Sequence, residues 1–201
     1  MTPTGGRRPV GRSPIGRGVF AIEDQELPLP DPIALDTSFV VEALIATQPL
    51  HGVCDPFLTR IFNSGISIVT SELLRVELAE AAFAIALKER WGGKWRGHRT
   101  DGRSRPRAGR LLNHTLIRYD EMLRSMTHIS IPLGDTANIA PTFMTDYGIA
   151  SYDAAHAATA LAAGTETIVT TDTGFALLPA SLLTVYTDSS RVPSCRKKRP
   201  R

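Results

Sequence analysis

SYDAAHAATALAAGTETIVTTDTGF, residues 151–175, is the stretch whose reading decides the fold. It reads as helix, turn, strand and acid. Ser151 is expected as the N-cap, which puts Asp153 in the first helical turn, where a negative charge suits the helix dipole. The run AAHAATALAA is Ala-rich and helix-prone, and Gly164 ends it. Residues 167–170 form a short β-branched strand, with Asp172 just past its end. Ligands of open α/β sheets gather at the carboxyl ends of the strands, so a helix-start Asp and a strand-end Asp can meet at one site. Taken singly, Asp153 is explained as a helix-start charge and Asp172 as a turn residue. Two upstream acids in matching places change the weighing.

The first is Asp36. Residues 33–36, IALD, read as a short strand, and Thr37 and Ser38 cap a following helix that carries Phe39, Val40, Val41, Leu44 and Ile45. Asp36 therefore stands at a strand end, as Asp172 does, although a capping role would also account for it. A phosphoryl-accepting Asp would call for a second acid two residues on, and Ser38 stands there instead. The second is Glu77. After a helix over 55–63 and a strand over 66–69, Ser71 caps a long helix, SELLRVELAEAAFAIALKER, with apolar residues frequent enough to bury much of its surface. Glu77 sits among those apolar neighbours, where an unpaired carboxylate is costly. Glu80, one turn on, is its competitor and is expected to be exposed.

The remaining chain predicts a helix over 111–126, a strand over 129–133, a helix from Asp135 toward Tyr147 ended by Gly148, and a last strand near 184–186. Strands alternating with helices imply an α/β fold, a three-layer sandwich whose central sheet is mainly parallel and covered on both faces. The expected organisation is a Gly-, Pro- and Arg-rich arm over 1–31 that buries little, a domain over 32–188 interrupted by a basic insertion at 91–110, and a basic tail over 189–201.

Charge is distributed unevenly. Of 23 Lys and Arg, four lie in residues 1–20, seven in 91–110 and six in 191–201; of 20 acids, only Asp101 lies in those segments. The body thus carries six cations against 19 acids, and the three basic segments 17 cations against one acid. An acidic body with basic attachments suits a carboxylate metal site acting on a polyanion, although basic tails also serve solubility. The cations and two tryptophans of residues 91–110 point to phosphate contacts with base stacking, against a loop whose tryptophans pack locally. No run of about 18 apolar residues is present, so no membrane span is expected. No apolar signal-peptide core follows the basic start, and two cysteines, Cys54 and Cys195, make no disulfide framework, so a cytoplasmic setting is expected.

Asp36, Glu77, Asp153 and Asp172, with the text LDTSFVVEAL, VTSELLRVELAEA, YGIASYDAAHAATALAAG and IVTTDTGF around them, resemble the PIN-domain family, especially the VapC-type toxins of bacterial toxin–antitoxin pairs. The resemblance covers about residues 33 to 187. It implies a PIN-like sheet flanked by helices and a ribonuclease dependent on Mg²⁺ or Mn²⁺. The four acids would hold the metal, with Asp36, Asp153 and Asp172 as direct ligands and Glu77 binding through water or orienting the nucleophile. It also implies an RNA substrate, a cognate antitoxin and a homodimer. Independently, clustered carboxylates stay ionised together only with a cation between them, and all-oxygen ligands select hard metals. The alternative on the same fold is a non-catalytic module that binds RNA or a protein.

Overall fold

A computed structural model describes residues 18–198. Its centre is a sheet of six strands in the order β1 (Val19–Ala21), β6 (Thr184–Thr187), β5 (Thr167–Val169), β2 (Ile33–Leu35), β3 (Ile68–Ser71) and β4 (His128–Ile131), and every pairing is parallel. Side chains on a strand alternate between faces. Leu35, Ile68 and Val169 accordingly enter a core with Phe39, Ile61, Leu74 and Tyr119, while their neighbours Ala34, Val69 and Ile168 enter a second core on the opposite face. The first face is covered by α1 (Thr37–Leu44), α2 (His51–Asn63), α3 (Glu72–Trp91) and α4 (Arg105–Ser125). The second face is covered by α6 (Ala140–Tyr147), α7 (Ser151–Ala162) and α8 (Val192–Lys198), with the single-turn α5 (Leu133–Thr136) beside α7. The three-layer, parallel α/β sandwich read from the sequence is the observed architecture.

From β2 the chain steps outward through β3 to β4, then returns to β5 on the other side of β2 and continues to β6. The strand order therefore reverses between β2 and β5, and a crevice opens beyond their carboxyl ends. Asp36 directly follows β2, and Asp172 lies three residues past β5.

Several boundaries differ from those expected. Residues 18–31 are part of the fold and not of an arm: Val19 pairs with Val185 in register, and Val19, Ile22 and Leu27 are buried. The segment is held by Arg60, which donates to the carbonyl of Asp24, and by the Tyr186 hydroxyl, which donates to the carbonyl of Pro28. A three-residue strand carries too little periodicity to be recognised alone. The earlier part of the expected arm, residues 1–17, lies outside the described residues. The basic tail likewise contributes a helix, α8, whose Cys195 is fully buried against the second core. Residues 199–201 lie outside the described residues.

Residues 91–110 are not irregular throughout. Gly92, at φ +51, ends α3, residues Gly92–His98 form a 3₁₀ turn, and α4 starts at Arg105 with Pro106 in its first turn, where the missing N–H is not needed. The helix expected from Asp135 is split into α5 and α6, with Pro141 opening the second. Cys54 and Cys195 are both buried, and burial pushes the Cys54 thiol up to about 12. Among the described residues no helix is long and apolar enough to cross a membrane.

Candidate active site

Asp36, Glu77, Asp153 and Asp172 line one cleft of about 680 Å³ at the reversal point of the sheet. Val41, Ala84 and Ile85 add apolar lining, and Lys88 also borders the cleft.

Asp36 is at once a helix cap and a member of the site. Its Oδ2 accepts from the Ser38 hydroxyl at 2.5 Å, the Thr170 hydroxyl at 2.7 Å and the Ser38 amide at 3.2 Å. These donors load one carboxylate oxygen and leave Oδ1, 3.8 Å from Nε2 of His156, on the other side. The same hydroxyls reach across to the loop after β5. Ser38 Oγ accepts from the Thr171 amide, and Thr170 Oγ1 accepts from the Asp172 amide, both at 2.9 Å. Thr170 thus joins the side chain of one acid to the backbone of another across 134 residues of sequence.

Asp153 comes from the first turn of α7. Ser151 is not its cap: the N-cap is Ala150, with no side-chain hydrogen bond. Burial, then the charges of Asp172 and Asp36, push the Asp153 carboxyl up from 3.8 to about 7. The close approach of these acids requires Gly174. A Cβ there would lie 2.8 Å from Oδ2 of Asp153 and 3.3 Å from Oδ1 of Asp172, while the Gly174 amide donates to that same Asp172 oxygen at 2.7 Å.

Glu77 faces His156. Its Oε2 accepts from the Thr37 hydroxyl at 2.6 Å and lies 2.5 Å from Nε2 of His156. Burial opposes charge on Glu77, but the hydrogen bond and charge of His156 outweigh it and hold the carboxyl below its ordinary value. Burial likewise opposes charge on His156, yet Glu77, Asp36 and Asp153 together raise its pKa. The ring is held from both sides, Nε2 against Glu77 and Nδ1 3.2 Å from Ser71 Oγ. Ser71 begins α3 but makes no side-chain cap, its hydroxyl being used on His156. Glu80, the competitor of Glu77, borders the cleft but is paired with exposed Arg99.

The acids share the cleft without forming a finished ligand cage. Among the described residues no group of three or more His, Cys, Asp or Glu stands ready to hold an ion. Glu77 is engaged with His156, and one oxygen of Asp36 with Ser38 and Thr170. The donor set nevertheless fits a hard divalent cation: the acids supply only oxygen, and the burial and like-charge repulsion that together raise Asp153 are what a cation among them offsets.

A model of the PIN domain matches residues 33–180. The chain belongs to the PIN-domain family. In this PIN domain the matched residues hold all four acids and His156, while β1, β6 and α8 lie beyond them. Two solved structures are similar in part. One is VapC20 of Mycobacterium tuberculosis, a sarcin-ricin loop cleaving toxin, at 17% identity over 68% of this chain and 86% of that one, with a TM-score of 0.43. The other is PAE2754 of Pyrobaculum aerophilum, at 17% identity over 83% and 90%, with a TM-score of 0.45. No curated protein matches.

His156 is the site residue that sequence reasoning passed over. Its signal was present: a lone imidazole in an otherwise Ala-rich helix, three residues after Asp153 and so on the same helix face. The expectation that the tryptophans of 91–110 stack on bases gains no support from the geometry. Trp91 stacks on His98 and donates to Ser104, and the Trp95 ring carries the cations of Lys88 and Arg96 against it.

Proposed function

We propose that this PIN domain is a metal-dependent endoribonuclease of the toxin type, restrained by a cognate antitoxin. The single observation that carries the reading is the gathering of four acids around one cleft at the reversal point of a parallel sheet. PIN domains are generally nucleases, and the toxin assignment rests on the motif text around Asp36, Glu77, Asp153 and Asp172.

In this reading Asp36, Asp153 and Asp172 hold Mg²⁺ or Mn²⁺, and Glu77 completes the site through water. The bound cation supplies charge neutralisation at the scissile phosphodiester and water of lowered pKa. The chain's own contribution is positioning. Ser38 and Thr170 fix Oδ2 of Asp36, so that Oδ1 is the oxygen left for the cation. His156 and Thr37 fix the Glu77 carboxylate in its ionised form. Lys88 adds a cation at the edge of the cleft, where the phosphates of a polyanion approach.

The test is cleavage of a structured RNA by purified full-length protein with Mn²⁺, Mg²⁺ or EDTA. Cleavage is expected with either ion, none in EDTA, and none by Asp36→Asn or Asp153→Asn at full occupancy of the fold. Undiminished cutting by those variants overturns the mechanism. Expression in a bacterial host should arrest growth, with Asp36→Ala relieving the arrest, and light scattering should give a dimer.

The non-catalytic reading draws on one observation, the lack of a finished ligand cage among the described residues. Calorimetric titration with Mn²⁺ separates the two. Binding that is lost in Asp153→Asn supports the nuclease, and no heat at millimolar Mn²⁺ supports the binding module.

A further inference from the structure

A second hollow, of about 530 Å³, lies on the far side of α3 from the acidic cleft. Its wall is one face of α4, where Arg107, Arg110, His114 and Arg118 recur at spacings of three and four residues. From 107 to 118 this row spans roughly 16 Å at the α-helical rise. No acid interrupts it, since Asp120 is the first carboxylate of α4.

These cations differ from their neighbours in having no counter-charge. Arg75 is paired with Asp120 and Arg99 with Glu80. Among the described residues the side chains of Arg107, Arg110 and His114 make no ion pair or hydrogen bond, and all three residues are exposed. Arg118 is half-buried and spends one N–H on the carbonyl of Leu44 at 2.7 Å, which leaves the rest of its guanidinium to the hollow. The one acid in the hollow, Glu89, accepts from the Thr47 hydroxyl at 2.8 Å. The chain neighbours of those two residues, Gln48 and Lys88, line the acidic cleft. The Thr47–Glu89 contact is therefore a ridge with the catalytic acids on one side and the arginine row on the other. Arg107 and Arg110 belong to the basic segment 91–110 and only Arg118 to the acidic body, and a concave row of three arginines with no carboxylate partner suits an anionic occupant.

We propose that the α4 groove is a phosphate-backbone subsite that holds the RNA strand beside its cleavage point. The inference rests on the ribonuclease reading and deepens it. About 16 Å accommodates on the order of five phosphates of a stacked strand at ~3.4 Å each. Guanidinium groups bind such phosphates bidentately, without regard to base. The groove sets how firmly a long RNA is held, and the acidic cleft sets where it is cut.

The test measures binding of a labelled 20-nucleotide single-stranded RNA in EDTA, where no cutting occurs, by full-length protein across a salt series. Arg107→Gln with Arg110→Gln should weaken binding about tenfold or more at moderate salt. It should also flatten the slope of log affinity against log salt by about 1.4, the loss of two single-strand phosphate contacts. Arg107→Lys with Arg110→Lys, which keeps the charge, should recover most of the affinity. Equal affinity and slope in wild type and the Gln pair overturns the groove. So does a Gln pair that binds RNA normally but loses binding to polyglutamate, which would make the row a site for an acidic protein segment. The ribonuclease reading is judged separately by whether wild type cuts this RNA once Mn²⁺ is added. Cutting with unaltered binding by the Gln pair removes the groove alone, and no cutting removes the reading beneath it.

Discussion

Nε2 of His156 lies 2.5 Å from Oε2 of Glu77, joining α7 to α3 across 79 residues of chain. His156 is almost fully buried, and only a sixth of the Glu77 side chain is exposed. Removing one partner of such a pair leaves the other charge poorly solvated. His156→Ala is therefore expected to destabilise the fold by about 2–3 kcal/mol, somewhat below the range for fully buried pairs because Glu77 retains some contact with water. Urea unfolding of wild type, His156→Ala, Glu77→Gln and the double variant measures the coupling. Strictly additive losses would show that the contact carries no energy of its own.

Thr170 is fully buried, with its hydroxyl between Oδ2 of Asp36 and the amide of Asp172. Thr170→Val keeps the shape and removes the hydroxyl. Partners that orient ligating carboxylates are typically worth 10–100-fold in metal affinity. The variant should bind Mn²⁺ weaker by about that factor while its circular dichroism stays that of wild type. Unchanged Mn²⁺ affinity would mean that Asp36 and Asp172 do not depend on this hydroxyl for their placement.

Gly174 has no side chain where two carboxylates pass closest to the backbone. Its φ is not in the left-handed region, so alanine is acceptable to the backbone and conflicts only with Asp153 and Asp172. Gly174→Ala is expected to fold, to push the two acids apart, and to weaken Mn²⁺ binding about tenfold or more, in the range for outer-partner changes. Thermal melts with and without Mn²⁺ read this directly: the metal-induced rise in Tm should shrink while the metal-free Tm holds. A fall in the metal-free Tm alone, with the metal increment intact, counts against it.

Asp153 gives the metal-free protein a pH dependence with a definite sign. Its folded pKa, about 7, lies above the ordinary 3.8. Between those values the folded state binds more protons than the unfolded state, so stability falls as pH rises from about 4 to about 7 and is level above. The Asp153→Asn protein should lack this component, and saturating Mn²⁺ should abolish it in wild type, since the ion keeps the carboxylate ionised. Denaturant midpoints in EDTA at several pH values, compared between wild type and Asp153→Asn, provide the check. Parallel pH profiles would show that Asp153 ionises freely in the fold.

Much of this was legible in the chain. Asp36 is legible as the turn from the short strand IAL into a Thr–Ser helix cap, Asp172 as the residue past a β-branched run, and Asp153 as an acid in the first turn of an Ala-rich helix. Glu77 stood out because a carboxylate among apolar neighbours calls for a partner. The identity of that partner was not legible. The lone imidazole on the Asp153 face marks His156, but its pairing with Glu77 depends on how α7 packs against α3. The edge strand β1 was missed for a related reason. Val19, Phe20 and Ala21 are too few to show a period, and they become a strand only because β6 offers an open edge. The start of α4 was obscured by the Gly and Pro content of 91–110, which hid the arginine row by placing Arg107 and Arg110 in an apparent loop.

Local chemistry, then, was enough for the alternation of strands and helices, the parallel sheet between two layers, and the four acids with their approximate places. Those features follow from side-chain periodicity and from caps that act within a few residues. The pairing of His156 with Glu77, the bridge from Thr170 to Asp36 and the space kept open by Gly174 arose only when the chain closed up. Each joins or separates groups from different elements, and the free energy of such contacts is set by burial and distance, which a linear order of residues does not contain.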